Sequence, residues 1–347
     1  MIYNEELLLT VAWKNNSVVF IDQTKLPSKL VYVTCTDYKE VAEAIRKLIV
    51  RGAPAIGVSA AFGLALAAQQ SNAKTVPELM MDLDSAFKTL RATRPTAVNL
   101  FWALDRVMRK ARYARTVQEA KRAVLDEALK MAEEDIQTNR KIGAHGVSLL
   151  KDGDVVLTHC NAGSLATVAY GTALGVIRAA KESGKRLTVI ATETRPVMQG
   201  SRLTAFELQH DGIDVSLIPD TAVGHMMATA TISRVIVGAD RVLRSGHVFN
   251  KIGTYQVAIL ANKHNVPFYV AAPLSTFDFE SNPEDVRIEE RSIDEVVKVG
   301  KKRIAPKGVR VFNPAFDMTP PELVTGIITQ NGLLAPPFEK NLKSLLG

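Results

Sequence analysis

Cysteine is nearly absent from this chain: there are two in 347 residues, Cys35 and Cys160, far apart. No CxxC pair or Cys/His cluster occurs and the six histidines stand singly, so neither a disulfide framework nor a structural zinc site is expected, and no metal is implied. Long apolar runs are missing too. Stretches such as Ala60 to Ala68 fall short of the ~20 residues needed to cross a bilayer, so no membrane span is expected. The opening Met1 to Leu9 carries Glu5 and Glu6 and no cationic segment leading into a long apolar run. That argues against a secretory signal and makes the cytoplasm the expected compartment. No GxGxxG follows the first candidate parallel strand, which removes the main support for a dinucleotide-binding dehydrogenase. Residues 51–57, Arg-Gly-Ala-Pro-Ala-Ile-Gly, have the Gly-x4-Gly spacing of a phosphate loop. Gly57 leads into Val58 and Ser59 rather than Lys-Ser/Thr, however, and an NTPase reading is weak. No short internal repeat or low-complexity segment occurs.

What is present is a globular composition, 47% hydrophobic and 23% charged, on a length that suits about two domains of roughly 150 residues. The 43 Lys and Arg outnumber the 36 Asp and Glu, a net charge of +7 that would suit an anionic partner. The basic residues are dispersed. Their densest group, Lys301, Lys302 and Arg303 with Lys298 nearby, has no interleaved aromatics. It reads as a solvated face, and no nucleic-acid partner is expected.

Two styles of pattern divide the chain near residue 150. Leu8 to Trp13 and Ser17 to Asp22 are β-rich runs about the polar turn Lys14-Asn15-Asn16, a hairpin signal, and Leu30 to Thr34 adds a third strand. From Tyr38 to about Lys141 the period turns helical: Val41, Ala44, Ile45 and Ile49 recur at 3.6-type spacing, as do Val124, Ala128 and Met131. Residues 1–150 therefore read as a smaller, mostly helical domain that starts with a short antiparallel sheet.

From Gly153 the rhythm becomes strand, loop, helix. Candidate strands are Asp154 to His159, Leu187 to Thr192, Asp214 to Ile218, Arg234 to Gly238 and Pro267 to Ala271. Helical stretches such as Leu165 to Lys181 and Leu203 to His210 lie between them, closed by Ser183-Gly184 and Asp211-Gly212. Several strands are almost continuously apolar, as a sheet buried on both faces requires. Residues 151–347 therefore read as a mainly parallel, doubly wound, Rossmann-like α/β domain, whose ligands should sit beyond the carboxyl ends of its strands.

Those strand ends carry unusual chemistry. After the first comes His159-Cys160-Asn161-Ala162-Gly163-Ser164, a thiol and small residues leading into a helix, where free N–H groups favour anions and lower a thiol's pKa. After the second come Thr192-Glu193-Thr194-Arg195-Pro196 and then Gln199, Gly200, Ser201 and Arg202. After the fourth come Gly238-Ala239-Asp240-Arg241 and Asn250-Lys251-Ile252-Gly253-Thr254-Tyr255, which opens another helix. Each member has a plain alternative. A lone Cys is usually a small core hydrophobe, Asp240 can cap a helix or pair with Arg241, and an isolated Lys251 is more often solvated than bound to phosphate. The convergence on one rim carries the functional reading. The helical half adds two loops before helices, the one around Arg51 and Thr93-Arg94-Pro95-Thr96 ahead of a helix beginning near Val98. Each places a guanidinium where an anion would be favoured, although a surface cap explains the second equally well.

Taken together, RGAPAIG at 51–57, RPTAVNL at 94–100, CNAGSLAT at 160–167, ETRPVMQGSRLTA at 193–205, GADRV at 238–242 and NKIGTY at 250–255 resemble the S-methyl-5-thioribose-1-phosphate isomerase family of methionine salvage. AAPLSTFD at 271–278 and FNPAFDMTP at 312–320 extend the resemblance over nearly the whole chain. The wider superfamily includes ribose-1,5-bisphosphate isomerases and regulatory subunits of a translation-initiation exchange factor. The Cys160 and Asp240 contexts discriminate best, because a regulatory subunit needs no reacting pair.

The resemblance implies an aldose-to-ketose isomerisation of 5-methylthioribose 1-phosphate to 5-methylthioribulose 1-phosphate, with no redox cofactor. Asp240 matches the family's acid/base residue, a neutral carboxylic acid able to protonate the ring oxygen if a poorly solvated pocket raises its pKa. Cys160 matches the second catalytic residue. It either moves the C2 proton to C1 through an enolate or stabilises developing charge while hydrogen moves as hydride. Arg51, Gly52, Ala53, Arg94, Gln199, Asn250 and Lys251 match substrate-contacting positions. Arg51 and Arg94 suit a phosphate, and the amides of Gln199 and Asn250 suit sugar hydroxyls. The family also implies a homodimer.

Overall fold

The computed structural model describes residues 8–94 and 97–346. Most of the Met1 to Leu9 opening, and Pro95 and Thr96 of the second arginine loop, therefore lie outside the described residues. The chain divides into two compact units, one built from residues 1–141 and 162–175, the other from 142–161 and 176–347.

The first unit begins with the expected hairpin. Strands β1 (Val11–Lys14) and β2 (Ser17–Ile21) pair antiparallel with Lys14 opposite Ser17. Asn15 and Asn16 alone make the turn, at φ 50° and 55°. Asparagine tolerates this left-handed backbone, and the two-residue turn that uses it matches strand twist. β3 (Tyr32–Cys35) completes the sheet. Four helices follow: α1 (Tyr38–Arg46), α2 (Ala53–Gln70), α3 (Val76–Arg91) and α4 (Val98–Arg112). The Asp37 carboxylate caps α1 by accepting from the Lys39 and Glu40 amides, and Thr75 with Glu78 forms a capping box on α3.

Helix α2 is apolar on every side and is buried from Ala55 to Ala68, so it forms the centre of the unit. Helices α1, α3 and α4 and strands β1 and β2 pack around it, with Trp13 against Phe62 at 5.8 Å between ring centroids. α5 (Val117–Gly146) adds Val124, Ala128 and Met131 to the same core.

Residues 162–175 depart from expectation. The pattern predicts a helix from Leu165 to Lys181, but there is a single 3₁₀ turn at Ser164–Ala166, and α6 (Ala173–Glu182) starts later. Neighbours in the first unit hold this segment open. Thr10 N–H donates to the Val168 carbonyl (3.0 Å), the Thr10 hydroxyl to the Ser164 carbonyl (2.6 Å) and Gln23 Nε2 to the Leu165 carbonyl (2.7 Å). Carbonyls engaged outside the segment are unavailable to a helix ladder, so tertiary bonding overrides the local apolar period.

The second unit is built on a seven-stranded sheet. In chain order its first four strands are β4 (Val155–Thr158), β5 (Thr188–Thr192), β6 (Asp214–Ile218) and β7 (Arg234–Val237). Strands β8 (Arg241–Leu243) and β9 (Val248–Lys251) then branch off before β10 (Phe268–Ala271) rejoins the sheet. Short pairs follow, β11 (Phe277–Asp278), β12 (Lys298–Val299) and β13 (Lys302–Arg303), then β14 (Phe316–Thr319), β15 (Gly326–Thr329) and β16 (Gly332–Leu334). The main sheet runs β16-β15-β10-β7-β4-β5-β6, parallel apart from β16. α6, α7 (Ala205–His210), α8 (Val223–Ala228) and α9 (Thr254–Lys263) lie between its strands in sequence. α10 (Asp294–Val297) and α11 (Phe338–Leu346) complete the chain.

Val235, Ile236 and Val237 of β7 have no exposed surface. Burying each stabilises the sheet by about 1.5–3 kcal/mol, and this explains the continuous apolar lettering of the central strands. A second sheet, β11-β8-β9-β14, is absent from the sequence-based expectation because its strands are only two to four residues long. The Leu203 to His210 helix begins as a wider π turn at Gly200–Thr204.

Candidate active site

The order of the sheet locates the site. From β4 the chain steps outward through β5 to β6, then returns to lay β7 on the other side of β4 and continues through β10 to β15. The direction of winding therefore switches between β4 and β7, and in open α/β sheets that switch opens a crevice at the carboxyl ends of the two strands. Leu157 pairs with Val235, so these ends lie side by side. Cys160 is two residues past β4 and Asp240 three past β7.

Cys160 is buried, with 9% of its surface exposed. It does not lead into a helix, contrary to expectation: Gly163 and the 3₁₀ turn follow it in sequence. Its backbone is instead left-handed, at φ 63°. Thr194, just past the neighbouring strand β5, is also left-handed at φ 61°. Such conformations cost about 1–3 kcal/mol each for non-glycine residues and persist only where surroundings impose them.

The surroundings are visible. Cys160 N–H donates to Thr194 Oγ1 (2.9 Å), and the Thr204 hydroxyl donates to the Cys160 carbonyl (2.6 Å). The Asp220 carboxylate holds Thr194 in turn, accepting from the Thr194 amide (2.8 Å) and the Arg195 amide (2.7 Å). Behind Thr204, Asn161 Nδ2 donates to its Oγ1 (3.2 Å) and to Glu207 Oε1 (2.8 Å). Glu207 is fully buried and paired with Arg178 (2.8 Å), which also meets Asp211 (2.6 Å).

His159 extends the network. Its Nε2 lies 2.9 Å from the Ile252 carbonyl, an acceptor only, so that nitrogen carries the proton. Nδ1 then accepts from the Thr192 hydroxyl (2.7 Å), and Thr192 Oγ1 accepts from Thr194 Oγ1 (3.2 Å). Burial pushes the His159 pKa below its ordinary value, and the charge of Lys251 adds to the effect, against the pull of the Ile252 carbonyl and Asp220. The imidazole is therefore neutral and acts as a strut between β4 and the loop after β9.

Asp240 precedes strand β8 rather than a helix, which overturns the helix-cap alternative. Its N–H donates to the Phe249 carbonyl (2.9 Å). The guanidinium of its neighbour Arg241 pairs with Asp278 at 3.0 Å. Asn250 and Lys251 end β9. Asn250 Nδ2 donates to Thr254 Oγ1 (3.0 Å), while Lys251 Nζ donates to the Ala315 carbonyl (3.0 Å) and lies over the Phe316 ring. The N-terminus of α9 already holds a carboxylate, since Asp317 accepts from the Gly253 amide (2.6 Å) and the Tyr255 amide (3.1 Å). Burial pushes Asp317 up to about 6, against those amide bonds and Lys251. Gln199 opens the π turn after β5, and its buried Oε1 has no hydrogen-bond partner among the described residues. The second unit thus carries Cys160, Asp240 and Gln199 past the carboxyl ends of β4, β7 and β5 of the main sheet, and Asn250 and Lys251 at the end of β9 in the second sheet.

The remaining four positions belong to the first unit. Arg51 and Gly52 precede α2, and Ala53 is its first residue. Gly52 has φ 91°, and a β-carbon there would come within 2.3 Å of the Ala166 carbonyl oxygen, so only glycine fits. Arg94 lies in the loop before α4. The two helices start close together, because a β-carbon on Gly57 would lie 2.9 Å from the Asn99 carbonyl oxygen. Neither has an acidic residue in its first turn or a side-chain cap. Two uncapped helix starts, each preceded by an arginine, form an environment suited to an anion.

Among the described residues no group of three or more His, Cys, Asp and Glu side chains is placed to hold a metal ion, and no helix is long and apolar enough to cross a membrane. Sequence reasoning missed Thr204, Asp220, Glu207 and Asp317. Hydroxyls and carboxylates after strands are a weak signal, and spacing does not disclose which backbone groups they meet.

Comparison with known proteins places the chain in a family. The model of the initiation factor 2 subunit family matches residues 49–336. The chain belongs to that family. Within the initiation factor 2 subunit family, it is 54% identical over 340 residues to the methylthioribose-1-phosphate isomerase of Fervidobacterium nodosum, covering 97% of each chain. A crystal structure of 5-methylthioribose 1-phosphate isomerase from Pyrococcus horikoshii superposes with a TM-score of 0.93 at 46% identity, over 99% of this chain and 98% of that one. A structure named translation initiation factor eIF-2B, subunit delta, from A. fulgidus gives 0.89 at 53% identity, over 98% and 99%. A curated relative from Archaeoglobus fulgidus, also 53% identical, over 97% of this chain and 99% of its own length, is named putative methylthioribose-1-phosphate isomerase.

Proposed function

We propose that this chain is a methylthioribose-1-phosphate isomerase of methionine salvage, converting the phosphorylated aldose to the ketose 5-methylthioribulose 1-phosphate. The observation that carries the reading is the placement of Cys160 and Asp240 past adjoining strands at the winding switch of the sheet. The phosphate on the anomeric oxygen blocks ordinary opening to a free aldehyde, so ring opening needs a proton at the ring oxygen. Asp240 supplies it as the C1–O bond breaks, and recovers a proton when the C2 hydroxyl becomes a carbonyl. Cys160 serves the transfer of hydrogen from C2 to C1. No external electron acceptor is required, because C1 is reduced as C2 is oxidised within one molecule.

The residues 151–347 carry this chemistry. Gln199 accepts a hydrogen bond from a sugar hydroxyl through its buried Oε1, and Asn250 and Lys251 complete the polar contacts. Arg51, Gly52, Ala53 and Arg94 receive the phosphate, through two guanidinium groups and the amides at helix starts. The enzyme works in the cytoplasm as a homodimer without a nucleic-acid partner.

Incubating the purified chain with 5-methylthioribose 1-phosphate and, separately, ribose 1,5-bisphosphate tests the reading. Turnover of the first substrate alone is expected. Turnover of the bisphosphate alone would reassign the substrate. The name of the A. fulgidus structure, a translation initiation factor subunit, raises a translation-regulatory alternative. That alternative predicts no isomerisation and a stable complex with other subunits on size-exclusion chromatography.

A further inference from the structure

The backbone at Cys160 sets where its side chain starts, and that backbone is held by two hydroxyl groups from elsewhere in the chain. Thr194 Oγ1 accepts from the Cys160 N–H at 2.9 Å, and Thr204 Oγ1 donates to the Cys160 carbonyl at 2.6 Å. All three residues are buried, with Thr194 and Thr204 showing no exposed surface. We propose that Thr194 and Thr204 are positioning residues for Cys160: together they hold its peptide units in the left-handed conformation and so set the direction in which its side chain leaves the backbone.

Cys160 forms a corner in the chain. A non-glycine residue at φ 63° is uncommon, and it persists where its surroundings impose that conformation. The two hydroxyls engage one group of each peptide. Each is itself supported. Asp220 holds the Thr194 amide, and the Thr194 hydroxyl has Thr192 Oγ1 (3.2 Å) and the Thr192 carbonyl (3.3 Å) within reach as acceptors. Thr204 receives Asn161 Nδ2, which is anchored on the buried Glu207. Such a supported pair behaves as a rigid mount for a reacting group. The proposal rests on the isomerase reading for its catalytic consequence, but the mount itself does not.

The scarcity of cysteine supplies the test. Labelling the full chain with ¹⁵N-cysteine yields two amide signals, Cys35 and Cys160, assigned with Cys35→Ser. In the unmodified protein the Cys160 amide should be protected from exchange with D₂O. Free exchange would overturn the proposal without any variant. In Thr194→Val the Cys160 amide should shift and lose protection, while the Cys35 amide, in the β2–β3 ladder, stays in place. Thr194→Ser, which keeps the hydroxyl, should preserve both signals.

Activity gives the second arm. Thr194→Val and Thr204→Val should each lower kcat by at least about tenfold with KM within about twofold, since misplacement of a reacting group by an ångström costs on the order of 10²-fold. The serine variants should recover most of kcat. Valine variants with unchanged kcat, or serine variants as impaired as valine, would overturn the proposal. An unmodified chain that isomerises nothing but retains a protected Cys160 amide would remove the functional reading and leave the mount standing.

Discussion

The carbonyl oxygen of Thr192 occupies the space that a side chain at Gly200 would need: a β-carbon there would lie 1.6 Å from it. The π turn that carries Gln199 is thus pressed against the end of β5, beside Thr194. Gly200→Ala should lower stability by about 3 kcal/mol or more, since no flexible side chain can give way and overpacking alone costs roughly 1–3 kcal/mol. Urea denaturation followed by circular dichroism measures this, and a midpoint equal to the parent's would show that the contact is not tight.

Cys160→Ser and Asp240→Asn should each abolish turnover, by at least about 10²-fold as for loss of a general acid or base, while leaving the far-UV spectrum unchanged. The side chains change little in size, so the strands beneath them need not move. Near-normal rates in either variant would remove that residue from the chemistry.

His159 ties stability to pH. Its native pKa lies below the ordinary histidine value of 6.5 because of burial, so the unfolded chain takes up the proton first as pH falls. The stability it contributes is therefore complete above about 6.5 and declines as the medium is acidified through that value. Comparing urea midpoints for the parent and His159→Gln from pH 7.5 to 5 isolates the contribution. A variant with the parent's full acid slope would contradict it.

Asp317 acts in the opposite sense. Its carboxyl is pushed up to about 6, above its ordinary value of 3.8, so the protonated form is the one the native state favours. Its proton-linked stability is present below about 4 and is lost as pH rises through about 6. Asp317→Asn, which does not titrate, should be more destabilising relative to the parent at pH 4 than at pH 7. Thermal melts at the two pH values decide the matter.

Glu207 and Arg178 are buried partners beneath the Cys160 loop. Glu207→Gln should cost about 3–5 kcal/mol, the range for stranding a buried charge, tempered by the second contact of Arg178 with Asp211. Chemical denaturation of the variant checks the direction and size.

The hairpin was legible because Asn15-Asn16 is a local instruction, satisfied by its own backbone. The central parallel strands were legible because burial on both faces writes itself as an apolar run. Residues 162–172 were not, since their carbonyls answer to Thr10 and Gln23, more than a hundred positions away. The same limit applies at the candidate site. The position of Cys160 past a buried strand marked it, but its left-handed corner depends on Thr194 and Thr204, and nothing in linear spacing announces those bonds. Asp317 was hidden for a like reason, because the helix it caps begins 63 residues earlier, at Thr254.

The chain passes from one compact unit to the other three times, between residues 141 and 142, 161 and 162, and 175 and 176. A ribosome that has released only the first 141 residues has therefore not yet supplied the strip that Thr10 and Gln23 await. Neither unit can be completed from one uninterrupted stretch, so gene fragments cut at either edge would each emerge short of material encoded in the other.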